Sequence, residues 1–227
     1  GPPFPRSLFS AGEQGIWLDP SDFSTLFQDS AGTTPVTAVG QPVGLALDKR
    51  LGFVVGSEVV TNGSFTSGTT GWVNNGGLAT TFESVAHDGE ATALHVIGGS
   101  SAGAVRASIT ANKVYAVTYR VKVISGSAYV GIGSNTVGGV HTTADAGTWK
   151  TVTRAIYGAT DVSVRLYANS TGTEFYITGV SFKELAGNHA YQTTAASRPT
   201  LQQDSNGMYY LSFDGTDDGM ATPSINF

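Results

Sequence analysis

Alternating apolar and polar residues mark the middle of the chain as β-structure. Between positions 114 and 124, one set of alternate residues is Tyr115, Val117, Tyr119, Val121 and Val123, and the other is Ala116, Thr118, Arg120 and Lys122. Because successive side chains of a strand point to opposite faces, the first set is predicted to face a core and the second to face outward. The same rule applies to two other strands. In one, Val162, Val164 and Leu166 are predicted to face the core, and Ser163, Arg165 and Tyr167 to face outward. In the other, Val105, Ala107 and Ile109 are predicted to face the core, and Arg106 to face outward.

About eight short strands follow one another in this region, separated by Gly, Asn, Asp and Ser turns. They are predicted at 78–85, 91–96, 104–109, 114–124, 128–132, 148–156, 162–167 and 174–182. Short strands at this spacing are typical of an antiparallel β-sandwich. The predicted fold class is therefore all-β.

The two ends of the chain have a different pattern. Residues 1–55 are rich in turn formers without sustained periodicity, and they predict an extended arm. The sandwich is predicted at 56–185. Residues 186–227 read as a linker followed by one strand, Met208 to Phe213, which either pairs with the N-terminal segment or opens a further domain. The arm carries Phe4, Phe9, Trp17, Phe23 and Phe27, which are too apolar for a free tail, so we expect them to pack on a neighbouring domain or on a second copy of the chain.

Composition agrees with a β-protein and narrows the partners. The chain has 30 glycines and only 13% charged residues, so it lacks the Glu- and Lys-rich composition that helices favour. Its net charge of -5 provides no basic field for nucleic acid or an anionic membrane surface, and neither is an expected partner. The absence of cysteine excludes disulfides, thiol catalysis and thiolate metal sites.

Three features suggest catalytic or metal chemistry, and each has a simpler interpretation. The four histidines have no metal-ligand spacing. The glycines between Gly131 and Gly139 lack the lysine and the helix of a phosphate loop, and they read as turns. Asp214, Asp217 and Asp218 are better explained as a strand-end turn than as an acid–base pair. We expect no enzyme activity.

Two motifs in the middle region resemble the galactose-binding-like jelly rolls. Glu58 to Phe65 reads EVVTNGSF, Gly71-Trp72 follows it, and Val114 to Lys122 reads VYAVTYRVK. This pattern is similar to that of carbohydrate-binding modules of the xylan- and glucan-binding type. The resemblance implies a jelly-roll fold and a glycan ligand.

Other motifs lie on both sides of that region. Gly15 to Asp22 reads GIWLDPSD, Gly44 to Lys49 reads GLALDK, Gly187 to Leu201 reads GNHAYQTTAASRPTL, and Tyr210 to Asp218 reads YLSFDGTDD. They resemble segments of tailed-phage and prophage structural proteins, in which the last one opens a concanavalin-like lectin domain. The resemblance implies a jelly roll inserted into a tail-associated module that works in the virion, contacts bacterial surface polysaccharide and other tail proteins, and forms a homo-oligomer, by analogy a trimer.

The carbohydrate-binding modules that the chain resembles often hold a structural calcium ion. The acidic positions that they use are Thr66 and Thr178-Gly179 in this sequence, which leaves Asp88 as a carboxylate in a plausible loop. Calcium requires several carboxylate or carbonyl oxygens together, and the backbone carbonyl ligands of these modules do not depend on residue type. The expectation is therefore no cofactor, with a structural calcium ion as the alternative.

Sugar recognition needs flat aromatic faces for the C–H surfaces of pyranose rings and planar polar groups for hydroxyls or carboxylates. The candidates are Trp72, Tyr129, Trp149, Tyr157 and Tyr167, together with Arg106, Arg120 and Arg165. Arg120, Arg165 and Tyr167 are favoured because alternation places them outward, whereas Trp72 and Trp149 also fit core or rim packing. A group of arginines would suit an acidic polysaccharide.

The sequence favours the first of three functions, and the other two are alternatives. The first is a glycan-binding module of a phage or prophage tail protein. The second is a structural adaptor or spacer, and the third is a non-catalytic appendage of a depolymerase.

Overall fold

The computed structural model describes residues 9, 13–107, 109–132, 135–145, 148–158, 163–223 and 225. They divide into two compact units. We call Ser57–Arg154 with Gly158–Glu184 the jelly-roll unit, and Gly1–Gly56, Ala155–Tyr157 and Leu185–Phe227 the flanking unit. The only helices among the described residues are short 3-10 turns at Phe23–Thr25, Asn75–Gly77, Thr143–Asp145 and Ala195–Ser197. None of the described helices is long and apolar enough to cross a membrane.

The jelly-roll unit is built from two antiparallel sheets. Sheet I has the strand order β11 (Lys150–Gly158), β8 (Lys113–Ser125), β13 (Thr173–Leu185), β6 (Glu90–Gly98) and β5 (Ala79–His87), and β3 (Val55–Glu58) also pairs with β13. Sheet II has the order β10 (Asn135–Thr142), β9 (Ser127–Ile132), β12 (Ser163–Ala168), β7 (Gly103–Ala107) and β4 (Val73–Asn74). The predicted all-β antiparallel sandwich is confirmed.

The core of this unit follows the predicted alternation. The inward residues of β8 are all buried: Tyr115, Val117, Tyr119, Val121 and Val123. Val164 and Leu166 of β12 are buried as predicted, whereas Val162 and the side chain of Ala107 lie outside the described residues. All eight predicted strands occur, with ends that differ by a few residues.

Two predictions about strands are wrong. Strand β10 occupies positions whose glycines were interpreted as turns, because Val137 and His141 pair with β9 around an irregularity that accommodates Gly138 and Gly139. Ile109, which follows strand β7, is buried as predicted, but β7 itself has the opposite phase to the prediction. Its Ala104 is fully buried, and Arg106 lies opposite the core residue Val164.

The flanking unit has short strands: β1 (Leu26–Phe27), β2 (Leu45–Ala46), β14 (Ala190–Tyr191), β15 (Thr200–Gln203) and β16 (Tyr209–Ser212). Strand β2 pairs with both β1 and β14, so the N-terminal and C-terminal segments form one sheet. The last predicted strand pairs with β15 rather than with the N-terminal segment. A core of Leu26, Val36, Val43, Ala46, Ala190 and Leu201 holds the unit together. Phe23 packs edge-on against Tyr209 in this unit, with ring centroids 5.1 Å apart.

A buried carboxylate joins the distant segments of the flanking unit. Asp48 is fully buried and accepts backbone N–H bonds from Trp17, Arg50 and Asn188 at 2.9 Å each. Its own N–H donates to Nδ1 of buried His189, whose Nε2 lies 3.0 Å from the Leu185 carbonyl oxygen. Asp48 therefore satisfies three backbone donors at once, and two of them lie far from it in the sequence.

Asp214 organises the predicted turn after β16. Its Oδ1 accepts the N–H groups of Thr216, Asp217 and Asp218. The clustered carboxylates of Asp214, Asp217 and Asp218 thus belong to a turn, as the sequence indicated.

Candidate functional site

The candidate residues on the surface of the jelly-roll unit lie on two different sheets. Tyr129, Arg165 and Tyr167 belong to sheet II, whereas Arg120 is on sheet I and Trp149 immediately precedes strand β11 of that sheet. The outer surfaces of a sandwich point in opposite directions, so these residues cannot form one binding site. We call the first surface, formed by Tyr129, Arg165, Tyr167, Val105 and Val73, the tyrosine face. The outer surface of sheet I is the hairpin face.

The tyrosine face depends on the register of strands β9 and β12. Tyr129 lies directly opposite Tyr167, and the two rings meet edge-on with centroids 5.9 Å apart. The Arg165 guanidinium lies 6.0 Å from the centre of the Tyr167 ring. Since Val164 and Leu166 point into the core, alternation holds Arg165 and Tyr167 on the outer side. The two tyrosines and the arginine are therefore fixed relative to one another by the sheet.

Small and aliphatic residues surround these three side chains. Gly131 and Val105 lie on either side of Arg165, and Gly103 lies next to Tyr167. A side chain at Gly103 would place its Cβ 2.0 Å from the Leu166 carbonyl oxygen, and its φ of +145° also favours glycine. Val73 continues the row beyond Val105 and is 62% exposed. Among the described residues the face is thus partly apolar, and Arg165 lies near its middle.

The two tyrosines have different exposure. Tyr167 is only 6% exposed, whereas Tyr129 is half-buried. Burial raises the pKa of the Tyr129 phenol, and the neighbouring Arg165 guanidinium opposes this rise in part. The phenol therefore stays protonated at neutral pH and can both donate and accept a hydrogen bond. A ligand on this face would meet Tyr129 and Arg165 first, while Tyr167 supports them from below.

The hairpin face is rich in ion pairs. Arg120 pairs with Glu90, and Lys122 lies 2.6 Å from Asp88. His95 lies between Glu174 at 3.1 Å and Glu83 at 3.6 Å. Arg120 also lies 5.5 Å from the centre of the Trp149 ring, so its guanidinium has a carboxylate and an aromatic neighbour. The predicted outward orientation of Arg120 is confirmed by the burial pattern of β8.

Arg106 does not have the orientation predicted for it. The register places it on the core side of sheet II, where its guanidinium donates to the Gly71 carbonyl oxygen at 3.0 Å and to the Thr61 hydroxyl at 2.6 Å. A Cβ at Gly71 would lie 2.2 Å from the Arg106 Nη1. The prediction failed because small residues at 104, 107 and 108 made the alternation in this strand ambiguous. Arg106 braces a loop at the edge of the sandwich.

Trp72 and Tyr157 are buried rather than displayed on a surface. Trp72 is 5% exposed, and its indole N–H donates to the Asn62 carbonyl oxygen at 3.1 Å while its ring packs on Phe65. Tyr157 belongs to the flanking unit and stacks on Tyr191 with centroids 3.8 Å apart. The contacts of Trp72 show that its sequence motif contributes to packing in the core and in the neighbouring loop.

The residues expected near a calcium site do not supply the ligands that the ion needs. Thr66 is exposed and Thr178 is buried, and neither offers a carboxylate. The Asp88 carboxylate binds Lys122, and that hydrogen bond lowers the pKa of Asp88. The donor set therefore does not fit calcium.

The sequence did not identify three side chains that the hairpin face brings together, His87, His95 and Tyr176. Their rings stack in pairs, with His87 and His95 both nearly parallel to Tyr176. The alternation of Phe175, Tyr176 and Ile177 in β13 could have placed Tyr176 outward. The position of His87 depends on how a hairpin bends, and no local pattern shows that.

No family model and no curated protein matches this chain. Solved structures similar to part of it include the CBM22-1–GH10 modules of an endo-1,4-beta-D-xylanase from Clostridium thermocellum, complexed with xylohexaose. That comparison has 17% identity and a TM-score of 0.43, and it covers 57% of this chain but only 29% of the other.

Two further structures are similar over about the same part of this chain. The CBM22-1 xylan-binding domain from Paenibacillus barcinonensis has 18% identity, a TM-score of 0.42 and coverage of 58% of this chain and 97% of that one. The N-terminal cellulose-binding domain of beta-1,4-glucanase C from Cellulomonas fimi has 14% identity, a TM-score of 0.36 and coverage of 58% and 99%.

Proposed function

We propose that the chain is a non-catalytic glycan-binding protein whose tyrosine face holds the sugar. The supporting observation is the arrangement of Tyr129 opposite Tyr167 with Arg165 beside them, on an otherwise small and aliphatic sheet surface. The Tyr129 ring suits the C–H surface of a pyranose, and its phenol and the Arg165 guanidinium suit hydroxyl or carboxylate groups. The resemblance of Glu58 to Phe65 and of Val114 to Lys122 to carbohydrate-binding modules agrees with this ligand class.

We further propose that the protein works in a bacteriophage or prophage tail, where its ligand is a bacterial surface polysaccharide. The support is the resemblance of the segments before and after the jelly-roll unit, such as Gly187 to Leu201, to tail-associated proteins. Those segments fold together into the flanking unit, which suits attachment to other tail proteins and assembly into a homo-oligomer.

Affinity electrophoresis tests glycan binding on several polysaccharides in parallel. The intact protein migrates through gels containing soluble xylan, mixed-linkage β-glucan, polygalacturonate or polysaccharide purified from bacterial surfaces. We expect at least one to retard it, and Tyr129→Ala to weaken that retardation at least tenfold, which is about 1.4 kcal/mol. Arg165→Lys should have an intermediate effect because it keeps the charge but loses the planar fork.

Thr118→Ala is the matched control, since Thr118 is exposed on the opposite sheet. It should migrate as the unsubstituted protein does. If no polysaccharide retards the protein, the glycan-binding proposal is wrong.

A structural adaptor is the second candidate. It is favoured by large apolar side chains exposed on the flanking unit, where Met208, Tyr210 and Phe213 are 67%, 46% and 49% exposed. Loss of all glycan binding together with retention on purified tail proteins would favour this function.

A further inference from the structure

The tip of the β5–β6 hairpin reaches across the outer surface of sheet I. Strand β5 is an edge strand, separated from β8 by β6 and β13. Nevertheless, Asp88 and Glu90 at the tip contact Lys122 and Arg120 of β8. Asp88 has a φ of +45° and Gly89 of +86°, which gives the tight turn with both central residues left-handed. The hairpin must therefore bend over the sheet.

A stack of three rings fixes this bend. The centroids of His95 and Tyr176 are 4.2 Å apart with planes 6° apart, and those of His87 and Tyr176 are 3.6 Å apart with planes 5° apart. Two rings that are both parallel to a third at these distances must lie on its opposite faces. His95 is the cross-strand neighbour of Tyr176, so His87 comes from the hairpin tip to cover the other side. The tip is thus anchored rather than free.

The anchored tip holds Trp149 in place. The indole N–H of Trp149 donates to the Asp88 carbonyl oxygen at 3.1 Å. The His87 ring meets the indole edge-on with centroids 6.3 Å apart, and the Arg120 guanidinium lies 5.5 Å from the ring centre. The Trp149 side chain is half-buried, so part of it remains accessible. An aromatic surface that is both accessible and already ordered binds a ligand with a small loss of conformational entropy.

We propose that Trp149 is the platform of a second glycan-binding site, on the hairpin face. The indole would pack on the C–H surface of a sugar ring, and the exposed parts of Arg120, Glu90 and Asp88 would bind its hydroxyl groups. These side chains are 41%, 23% and 52% exposed, so each can bind a ligand without leaving its ion pair. The proposal depends on the proposed function for its ligand class but not for its site, because the two sites lie on opposite faces.

Two sites facing in opposite directions would let one molecule bind two glycan strands. The geometry prevents a single short oligosaccharide from contacting both sites. Binding through both should increase retention on dense polysaccharide without a similar increase in affinity for one free chain.

Fluorescence quenching of Trp149 by acrylamide tests this site directly. In a Trp17→Phe protein the remaining tryptophans are buried Trp72 and half-buried Trp149, so quenching reports mainly on Trp149. The probe is whichever polysaccharide of the electrophoresis panel retards the intact protein. We expect saturating polysaccharide to lower the quenching constant at least twofold, and the effect to persist when Tyr129→Ala is added.

The matched control carries Trp17→Phe and Trp149→Phe, which leaves only Trp72 to emit. Its quenching constant should not change on adding the polysaccharide. Trp149→Ala should also weaken retardation of the otherwise unsubstituted protein at least threefold, while Thr118→Ala does not.

The possible results separate the two sites. Unchanged quenching of Trp149, with retardation lost in Tyr129→Ala, overturns the second site and leaves the proposed function in place. Protected Trp149, with Tyr129→Ala equal to the unsubstituted protein, supports the second site and overturns the tyrosine face. If no polysaccharide retards the protein, both proposals are wrong.

Discussion

The two units of this chain are held together by different kinds of interaction. The jelly-roll unit has strands of up to 13 residues, and alternating side chains fill its core. The named strands of the flanking unit have two to four residues, too few for alternation to define a face. The flanking unit depends instead on hydrogen bonds between segments far apart in the sequence, such as the bond from the Asp48 N–H to His189 across 141 positions.

This difference implies different sensitivity to single substitutions. Burial in the jelly-roll unit is distributed over many side chains, so the loss of one hydrogen bond should be tolerated. In the flanking unit one carboxylate satisfies three backbone donors, so its loss should affect several segments together.

Asp48→Ala should have the largest effect. It leaves the N–H groups of Trp17, Arg50 and Asn188 without their acceptor, and each unsatisfied buried donor costs about 1–3 kcal/mol. We expect a loss of at least about 3 kcal/mol in the flanking unit. Hydrogen exchange measured by mass spectrometry should show faster exchange in peptides of 13–50 and 186–203, with β8 and β13 unchanged.

Asp48→Asn is the control for this prediction. It keeps one carbonyl oxygen as an acceptor, so its effect should be smaller than that of Asp48→Ala. Equal acceleration of exchange in both units would contradict the distinction between them.

Tyr119→Phe tests the jelly-roll unit and should have a smaller effect. The Tyr119 hydroxyl and His141 Nε2 are 2.6 Å apart in the core, and they join β8 of sheet I to β10 of sheet II. Removing one buried hydrogen bond costs about 1–2 kcal/mol. Thermal unfolding should show a lower Tm, with faster exchange confined to the jelly-roll unit. A loss as large as that of Asp48→Ala would show that this unit also depends on single polar contacts.

Lys49→Met should have the smallest effect, and it should depend on pH. The Lys49 ammonium lies 2.8 Å from both Asp19 and Asp22. Burial alone would raise the pKa of Asp19, but the hydrogen bonds from Lys49 and Ser21 together outweigh it and the pKa is lowered. A second hydrogen bond from Lys49 lowers the pKa of Asp22. Carboxylates with a lowered pKa stabilise the fold above their unfolded pKa, and this contribution is lost as pH falls through the folded value.

The flanking unit should therefore lose about 1 kcal/mol from these partly exposed pairs as pH falls from about 5 to below 3. Lys49→Met should remove most of this dependence. Chemical denaturation at pH 6 and pH 3, monitored by hydrogen exchange, measures this change in the stability of the flanking unit. Asp204 and Asp214 also have a lowered pKa, so the test is the difference between the two proteins. An equal acid loss in both would show that the Lys49 pairs contribute nothing.

The same contrast explains what the sequence could predict. Alternation is a local signal, so the inward side of β8 and the outward orientation of Arg165 followed from neighbouring residues. Alternation failed for Arg106, where small residues removed the difference between apolar and polar positions. It also failed for β10, where glycines interrupted the pattern of the strand. In the flanking unit, the resemblance implied that the segments around 48 and 189 belong to one module, but no local pattern indicated that Asp48 and His189 themselves meet across 141 positions.

The candidate site shows the same limit. The outward orientation of Arg120 and Arg165 followed from alternation, but their separation onto two sheets depends on strand order. The register of β9 against β12 brings Tyr129 to Tyr167, and a bent hairpin brings His87 to Tyr176. Both are tertiary features, so the sequence could provide the residue types but not the groups that they form.

The hydrogen bond from the Ala186 N–H to the Val54 carbonyl oxygen, 2.9 Å long, has a mechanical consequence. It joins the segment that precedes the jelly-roll unit to the segment that follows it. Tension applied between the two halves of the flanking unit would therefore pass through this bond and through the pairing of β2 with β14. The two halves could therefore be drawn apart only after these contacts break.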